Sequence, residues 1–196
     1  MIEPAKILLI GGSIRQPSYT RALIQKVQVA LSEQKVNTTF WDLCTEPLPI
    51  ADPAFHENPS SHPGKTVRRF VALADSSDAF VFSSPIYHNS YSGVLKNALD
   101  HLTIPHLYWK PVGLISHGGN RSTQAVDHLR IVVRGLQGIA SPKQVCTSPE
   151  DYRVNDEGDY EVVSQDIEAR VGHFALELII LAYQLRAARE LLLQPI

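Results

Sequence analysis

The chain has 196 residues, of which 44% are hydrophobic and 19% are charged, and its formal net charge is -2. A chain of this length buries enough surface to fold without disulfides or metals. The low net charge, with no basic block, argues against nucleic acid and anionic membranes as partners. Cys44 and Cys146 lie far apart and in no motif, which fits a reducing compartment. With no secretory pattern and only short or interrupted apolar stretches, we expect a cytoplasmic protein without a transmembrane helix.

Four short apolar runs predict strands that are buried on both faces. They are nearly continuous rather than alternating, which is typical of a parallel sheet. They are Ile7–Ile10, Ala79–Phe82, Val112–Ile115 and a weaker stretch that ends at Val145 and Cys146. A fifth run, Thr38–Leu43, is more polar and suits an edge strand. Segments with helical apolar stripes separate these runs. The alternation predicts one doubly wound α/β domain over residues 1–196.

The last predicted helix follows Ser164, a candidate N-cap, with acidic residues in its first turn. It carries more apolar residues than one buried stripe needs, because Leu176, Ile179, Ile180 and Tyr183 widen that stripe. Two interpretations are open. The helix is either deeply buried in the domain or part of a subunit interface.

Two stretches are predicted to be irregular. Residues 44–63 contain five prolines, which indicates an ordered connecting loop rather than a helix. Farther along, residues 155–158 read Asn-Asp-Glu-Gly, a turn signal between Tyr152–Val154 and Tyr160–Val163. This second pattern predicts a small hairpin.

A segment rich in hydroxyl side chains follows the first strand and opens a helix. It reads Gly11-Gly12-Ser13-Ile14-Arg15-Gln16-Pro17-Ser18-Tyr19-Thr20. A helix N-terminus offers unpaired backbone N–H groups and a partial positive charge. The hydroxyls of residues 13, 18 and 20 add donors, and residue 15 adds a permanent cation. The combination suits a doubly charged phosphate. The alternative is a turn that only caps the helix.

Two more loops follow predicted strands and carry residues suited to a flat polar ring. The first extends from Ser83 to Asp100, where Pro85 fixes the backbone and Tyr87 and Tyr91 offer aromatic faces. The second is Ser116-His117-Gly118-Gly119-Asn120, whose paired glycines let a backbone approach a ligand closely. The alternatives are a capped turn with packed tyrosines and a simple glycine turn.

The three loops have the same position relative to the sheet. Ligands of open parallel sheets bind beyond the carboxyl ends of the strands, and all three loops lie there. One loop suits phosphate and two suit a planar ring, so the sequence predicts a bound mononucleotide with a large heterocycle. The chain contains neither G-x-G-x-x-G nor G-x-S-x-G, which argues against a dinucleotide loop and a hydrolase nucleophile elbow. The histidine spacings match no zinc motif, and we predict no metal.

With these loops, the sequence resembles the NADPH-dependent FMN reductase family of flavodoxin-like proteins over nearly its whole length. The resemblance is most specific in Gly12–Thr20 and Ser84–Asp100, and Tyr91–Lys96 is similar to the alkanesulfonate-linked members. It implies a five-stranded parallel sheet in the order 2-1-3-4-5, bound FMN, NADPH or NADH as the electron donor, and a homodimer or homotetramer. It also implies that the FMN phosphate is held by Ser13, Arg15, Ser18, Tyr19 and Thr20. The implied ring pocket consists of Pro85, Ile86, Tyr87 and His88, with Ser116, His117, Gly118 and Gly119 at the other edge.

Two departures from the family pattern fall at this ring pocket. Many members have Asn directly after the tyrosine where this chain has His88, and many carry a further glycine where this chain has Asn120-Arg121-Ser122. The function predicted is transfer of hydride from NAD(P)H through FMN to a small acceptor such as free flavin or a quinone. FMN supplies the chemistry, so no catalytic side chain is predicted. The alternative is an FMN-binding electron carrier without NAD(P)H activity; a phosphatase is a more distant one.

Overall fold

Five parallel strands form one sheet in the order β2-β1-β3-β4-β5, as the resemblance implies. In the computed structural model, which describes residues 3–192, they are β1 (Lys6–Gly11), β2 (Asn37–Asp42), β3 (Ala79–Pro85), β4 (Pro111–His117) and β5 (Ile139–Thr147). The central strand β3 is buried along its whole length, whereas the edge strand β2 is mostly exposed or half-buried. The fourth apolar run is weak in sequence because β5 is the other edge and contains Pro142.

Helices cover both faces of this sheet. They are α1 (Tyr19–Ser32), α2 (Lys65–Ser76), α3 (Gly93–Leu99), α4 (Ile104–Leu107), α5 (Gln124–Gly135) and α6 (Gln165–Leu192). Successive strand residues point to opposite faces, so Ile7 and Leu9 pack with α1 and α6, while Leu8 and Ile10 pack with α2, α3 and α5. The continuous apolar runs therefore fill two separate cores, one on each face.

The long helix α6 packs along one face of the sheet and keeps an apolar outer side. Phe174, Leu178 and Ala182 are buried in the core, whereas Leu176 and Ile180 are about half exposed. The interpretation of a deeply buried helix therefore holds for the inner side, whereas the interface interpretation of the outer side stays a prediction. Its length and hydropathy pass the test for a membrane span, a test that core helices of soluble proteins also pass.

The two irregular stretches take the forms that the sequence predicts. The proline-rich loop contains only two short 3₁₀ turns, and Asn97 Nδ2 holds it by donating to the Pro49 carbonyl at 2.8 Å. The hairpin pairs β6 (Tyr152–Val154) with β7 (Tyr160–Val162) in antiparallel register. Its turn is closed by Asn155 Oδ1, which accepts from two backbone N–H groups, and by Gly158 at φ 86°.

Candidate functional site

A cleft of about 250 Å³ opens at the carboxyl ends of the central strands. The loops after β1, β3, β4 and β5 all contribute to its walls, as expected at the point where strand order reverses. The residues that line it are Ser13, Arg15, Ser18, Tyr19, Thr20, Pro85, Ile86, Tyr87, His117, Gly118, Gly119 and Pro149. Every sequence-predicted site residue except His88 and Ser116 is among them. The sequence analysis did not predict Pro149, although its position directly after a predicted strand places it at the same edge of the sheet as the other loops.

The loop after β1 is fixed tightly against β3 and α3. Gly12 N donates to the Ser83 carbonyl at 2.8 Å, and Ser92 Oγ donates to the Gly12 carbonyl at 2.6 Å. A Cβ at Gly12 would lie 2.8 Å from both Leu95 Cβ and the Ser83 carbonyl oxygen. Only glycine allows this approach, so the loop after β1 is held at a fixed distance from the end of β3 and the start of α3.

The first turn of α1 presents hydrogen-bond donors to the cleft. Ser18 caps the helix by accepting from Arg21 N at 3.2 Å, and its hydroxyl donates to Ser13 Oγ at 2.9 Å. The Ser13 hydroxyl thus keeps its own proton free for a further acceptor. The backbone N–H groups of Tyr19 and Thr20 have no acceptor within the described part of the chain. The capping interpretation thus holds for Ser18, and the remaining donors face the cleft.

Arg15 adds a cation to the donors of this turn. Its side chain is exposed and forms no ion pair with another residue of the 3–192 range. No carboxylate is found among the residues that line the cleft. This end of the cleft therefore combines positive charge with unpaired donors, which suits a phosphate dianion.

The opposite walls come from the loops after β3 and β4. Ile86 N donates to the His117 carbonyl at 2.8 Å, which joins the two loops. A Cβ at Gly118 would lie 2.8 Å from Ile86 Cδ1, whereas a Cβ at Gly119 would meet no atom within 4 Å. Gly118 therefore permits the packing of the loops, and Gly119 leaves bare backbone beside open space. Tyr87, 49% exposed, stands at the rim.

The structure separates His88 and Ser116 from the cleft lining for two different reasons. His88 and Asn89, with φ of 47° and 64°, form the tip of a two-residue turn closed by backbone bonds between Tyr87 and Ser90. The side chain of His88 is exposed at this tip. Ser116 is fully buried, and its hydroxyl donates to Cys146 Sγ at 3.4 Å. Successive side chains of a strand point to opposite faces, so the side chain of Ser116 points away from the cleft that His117 lines.

An aromatic stack joins the cleft to the β6–β7 hairpin. The centroid of the Tyr19 ring lies 4.3 Å from that of the His117 ring and 3.6 Å from that of the Tyr160 ring, and the Tyr19 ring is nearly parallel to both. Tyr152 meets His117 edge-on at 5.4 Å. Burial lowers the pKa of His117 to about 4 despite the opposing charge of Asp151, and nearby Arg15 adds a smaller lowering, so the imidazole is neutral at pH 7. The hairpin tyrosines were missed because nothing local in the sequence places them beside α1.

Comparison with known proteins decides the family. The model of the NADPH-dependent FMN reductase family matches residues 5–151. The chain belongs to this family. It is similar to the FMN-dependent NADPH-azoreductase of Staphylococcus saprophyticus, with 38% identity over 175 residues that cover 89% of this chain and 93% of the relative. The azoreductase of the same name from Staphylococcus aureus strain USA300 is 33% identical with the same coverage.

A solved structure shows the same architecture at low sequence identity. FerB, a flavoenzyme NAD(P)H:(acceptor) oxidoreductase from Paracoccus denitrificans, superposes with a TM-score of 0.71 at 21% identity and covers 92% of this chain and 98% of that one. This likeness shows the fold, which is flavodoxin-like. With its family established, the chain is an NAD(P)H-dependent FMN oxidoreductase that uses FMN and NADPH.

In this FMN reductase, the loop after β4 is anchored by a buried carboxylate. Asp151 is 1% exposed, and both of its oxygens accept from Arg121, which lies in the segment of residues 120–122 where the chain departs from the family pattern. Asp151 also accepts from Ser148 N at 2.9 Å. Burial by itself raises the pKa of Asp151, but the bonds from Arg121 and Ser148 outweigh it and leave the pKa below its ordinary value. The ion pair ties the glycine loop to the segment after β5.

Replacing Asp151 with asparagine is expected to lower the free energy of unfolding at pH 7 by about 1–3 kcal/mol, because a charged hydrogen-bond partner is lost. A lowered folded-state pKa stabilises the fold above the unfolded pKa, and this contribution disappears as the pH falls through the folded value. Urea unfolding from about pH 5 down to about pH 2 should thus show a steeper loss in the wild type than in Asp151→Asn. Glu161→Gln, in an exposed pair with Arg153, is the matched control and should change little. Parallel pH profiles of the wild type and Asp151→Asn would contradict this role.

Proposed function

We propose that FMN binds in this cleft with its phosphate at the first turn of α1 and its isoalloxazine ring between Pro85–Tyr87 and His117–Gly119. The observation that carries the proposal is the division of the cleft into two ends. One end has Arg15, free hydroxyl and backbone donors and no carboxylate. The other has proline, isoleucine, tyrosine and bare glycine backbone. A phosphate joined to a large planar heterocycle matches both ends.

The residues of the cleft would divide the binding work between them. The hydroxyls of Ser13 and Thr20 and the N–H groups of the first turn donate to phosphate oxygens, and Arg15 offsets the phosphate charge. Ser18 acts mainly through its cap and its bond to Ser13. Gly119 leaves room for the edge of a ring against the backbone. When bound, FMN supplies the hydride and electron-transfer chemistry, which needs no acid or base side chain.

For the electron acceptor, we propose small conjugated oxidants, with azo compounds first, quinones next and free flavin as a further possibility. Two similar proteins carry the name FMN-dependent NADPH-azoreductase. The open rim at Tyr87 supports this choice, because a second flat molecule can reach a ring bound beneath it. The same opening would admit the nicotinamide of NADPH or NADH before the acceptor enters.

The reductive half-reaction is the first experiment. FMN-loaded protein is mixed anaerobically with NADPH, and in parallel with NADH, while flavin absorbance is followed. Bleaching followed by reoxidation on addition of an azo dye or a quinone is the expected result. Flavin that binds but stays oxidised with both donors would instead indicate an electron carrier. No FMN binding would refute the assignment of the cleft.

We also propose that residues 1–196 form one FMN-binding domain of a cytoplasmic homodimer or homotetramer, with no nucleic-acid or membrane partner. The low net charge supports the absence of a nucleic-acid or membrane partner. The half-exposed Leu176 and Ile180 on the outer side of α6 support an interface between copies. Sedimentation of the wild type should show an oligomer that Ile180→Glu weakens. A monomeric wild type at micromolar concentration would reject this assembly.

A further inference from the structure

The hydroxyl of Thr147, at the end of β5, is hydrogen-bonded on every side. It donates its only proton to the Ser116 carbonyl at 3.2 Å. It also lies 2.8 Å from the Tyr152 hydroxyl and 3.1 Å from His117 Nδ1. A threonine hydroxyl has one proton and two lone pairs, so with its proton committed both remaining partners must donate to it. Tyr152 can do so, because burial raises its pKa and keeps its phenol protonated.

This arrangement favours a proton on Nδ1 of His117 over one on Nε2. Nδ1 must be protonated to donate to Thr147, and the low pKa of His117 means that the ring carries one proton in all. Nε2 is then a bare acceptor. It makes no hydrogen bond within residues 3–192, and His117 is one of the residues that line the cleft. The cleft therefore contains a neutral acceptor among its many donors.

The plane of the His117 ring is also fixed. Tyr19 stacks on it, and Tyr160 of the hairpin stacks on the far face of Tyr19. With Thr147 holding one edge and Tyr19 one face, the ring cannot turn to exchange its nitrogens without breaking both contacts. Because Tyr19 begins α1, this stack places the side chain of His117 beside the phosphate end of the cleft, while the His117 carbonyl accepts from Ile86 N at the ring end.

We propose that His117 Nε2 accepts a hydrogen bond from a ribityl hydroxyl of FMN, and that Thr147 is the positioning residue that fixes this acceptor. The proposal rests on the proposed FMN site. FMN offers two kinds of donor, the ribityl hydroxyls and the ring N3–H. The ribityl chain joins the phosphate to the ring, so it is the part that passes a residue packed against the start of α1. The ring N3–H lies beyond it.

Three flavins separate these possibilities by binding alone. FMN has ring, ribityl chain and phosphate, riboflavin lacks the phosphate, and lumiflavin lacks the whole chain. His117→Phe keeps an aromatic ring on Tyr19 but has no acceptor. We expect it to weaken FMN and riboflavin binding equally, about fivefold to tenfold, and to leave lumiflavin binding unchanged. His117→Gln, which can place an oxygen near the Nε2 position, should recover part of the loss. Equal weakening of all three flavins would overturn the ribityl assignment, and so would no weakening at all.

The positioning role of Thr147 has its own test. Thr147→Val should weaken FMN binding about threefold or more, and Thr147→Ser should restore it, because serine keeps the hydroxyl. Long-range ¹H–¹⁵N spectra of the imidazole, recorded without flavin, should show the Nδ1–H tautomer in the wild type and a mixture in Thr147→Val. An Nε2–H tautomer in the wild type would overturn the proposal. A wild type with the Nδ1–H tautomer that binds no flavin would instead overturn the proposed function and the ligand assignment with it.

Discussion

FMN binding should weaken by about 1–3 kcal/mol when Arg15 is replaced with alanine, which corresponds to about 5-fold to 150-fold in Kd. Arg15 is exposed and has no ion-pair partner in the described chain, so its charge is available to a ligand. The cleft has no carboxylate to compete for it. The effect should be large because a phosphate dianion loses a direct charged partner at a site whose remaining donors are neutral hydroxyl and backbone groups.

Riboflavin is the matched ligand for this variant, because it lacks only the phosphate. Its affinity for Arg15→Ala should equal its affinity for the wild type, and titration calorimetry of both flavins with both proteins completes the comparison. Arg134→Ala, which removes an exposed cation from the last turn of α5, controls for the change in net charge. Unchanged FMN affinity in Arg15→Ala would place the phosphate elsewhere. Equal losses for FMN and riboflavin would mean that the loop had been disturbed as a whole.

The second large effect is expected where α6 meets the sheet. Phe174 is fully buried and packs directly over Gly113 in β4. A Cβ at Gly113 would lie 2.9 Å from Phe174 Cε2, so even one methyl group overfills the contact. Phe174→Ala should cost about 3–5 kcal/mol of unfolding free energy by leaving a cavity. Gly113→Ala should cost about 1–3 kcal/mol by overpacking.

The double variant tests whether these two costs have one origin. The methyl group of Gly113→Ala occupies space that Phe174→Ala empties, so the combined loss should fall short of the sum by about 1 kcal/mol or more. Urea unfolding of the four proteins measures this difference, and Phe174→Leu replaces Phe174→Ala if the latter does not fold. Gly135→Ala, at an open position near the end of α5, should not destabilise. Strict additivity would show that the ring and the glycine are independent.

Much of the architecture follows from the order of residues alone. Continuous apolar runs such as Ala79–Phe82 are typical of strands covered on both faces, and β3 is buried throughout. The polar run at Thr38–Leu43 corresponds to the edge strand β2. The loops after the strands were identifiable because chain direction fixes which end of a parallel sheet they occupy. This rule also brings Ser13, Arg15, Pro85 and Gly118 into one cleft.

Side-chain roles within the cleft depended on local backbone geometry at some positions and on contacts between residues far apart in the chain at others. The turn at His88 directs its side chain away, and strand alternation buries Ser116. Pro149 enters the cleft from the strand with the weakest sequence signal. Tyr160 reaches Tyr19 only because the hairpin folds back on α1.

The sequence by itself determined the alternation of strands and helices, the edge of the sheet where the candidate cleft opens, and the hydroxyl and cationic residue types of the loop after β1. These features depend on local periodicity and chain direction, which a single sequence records. Only the tertiary structure decided that Thr147 lies within hydrogen-bond distance of His117, that Asp151 anchors Arg121, and that Phe174 requires Gly113. Each of these joins residues that are 30 or more positions apart. Packing and hydrogen bonding across such separations leave no periodic trace along the chain.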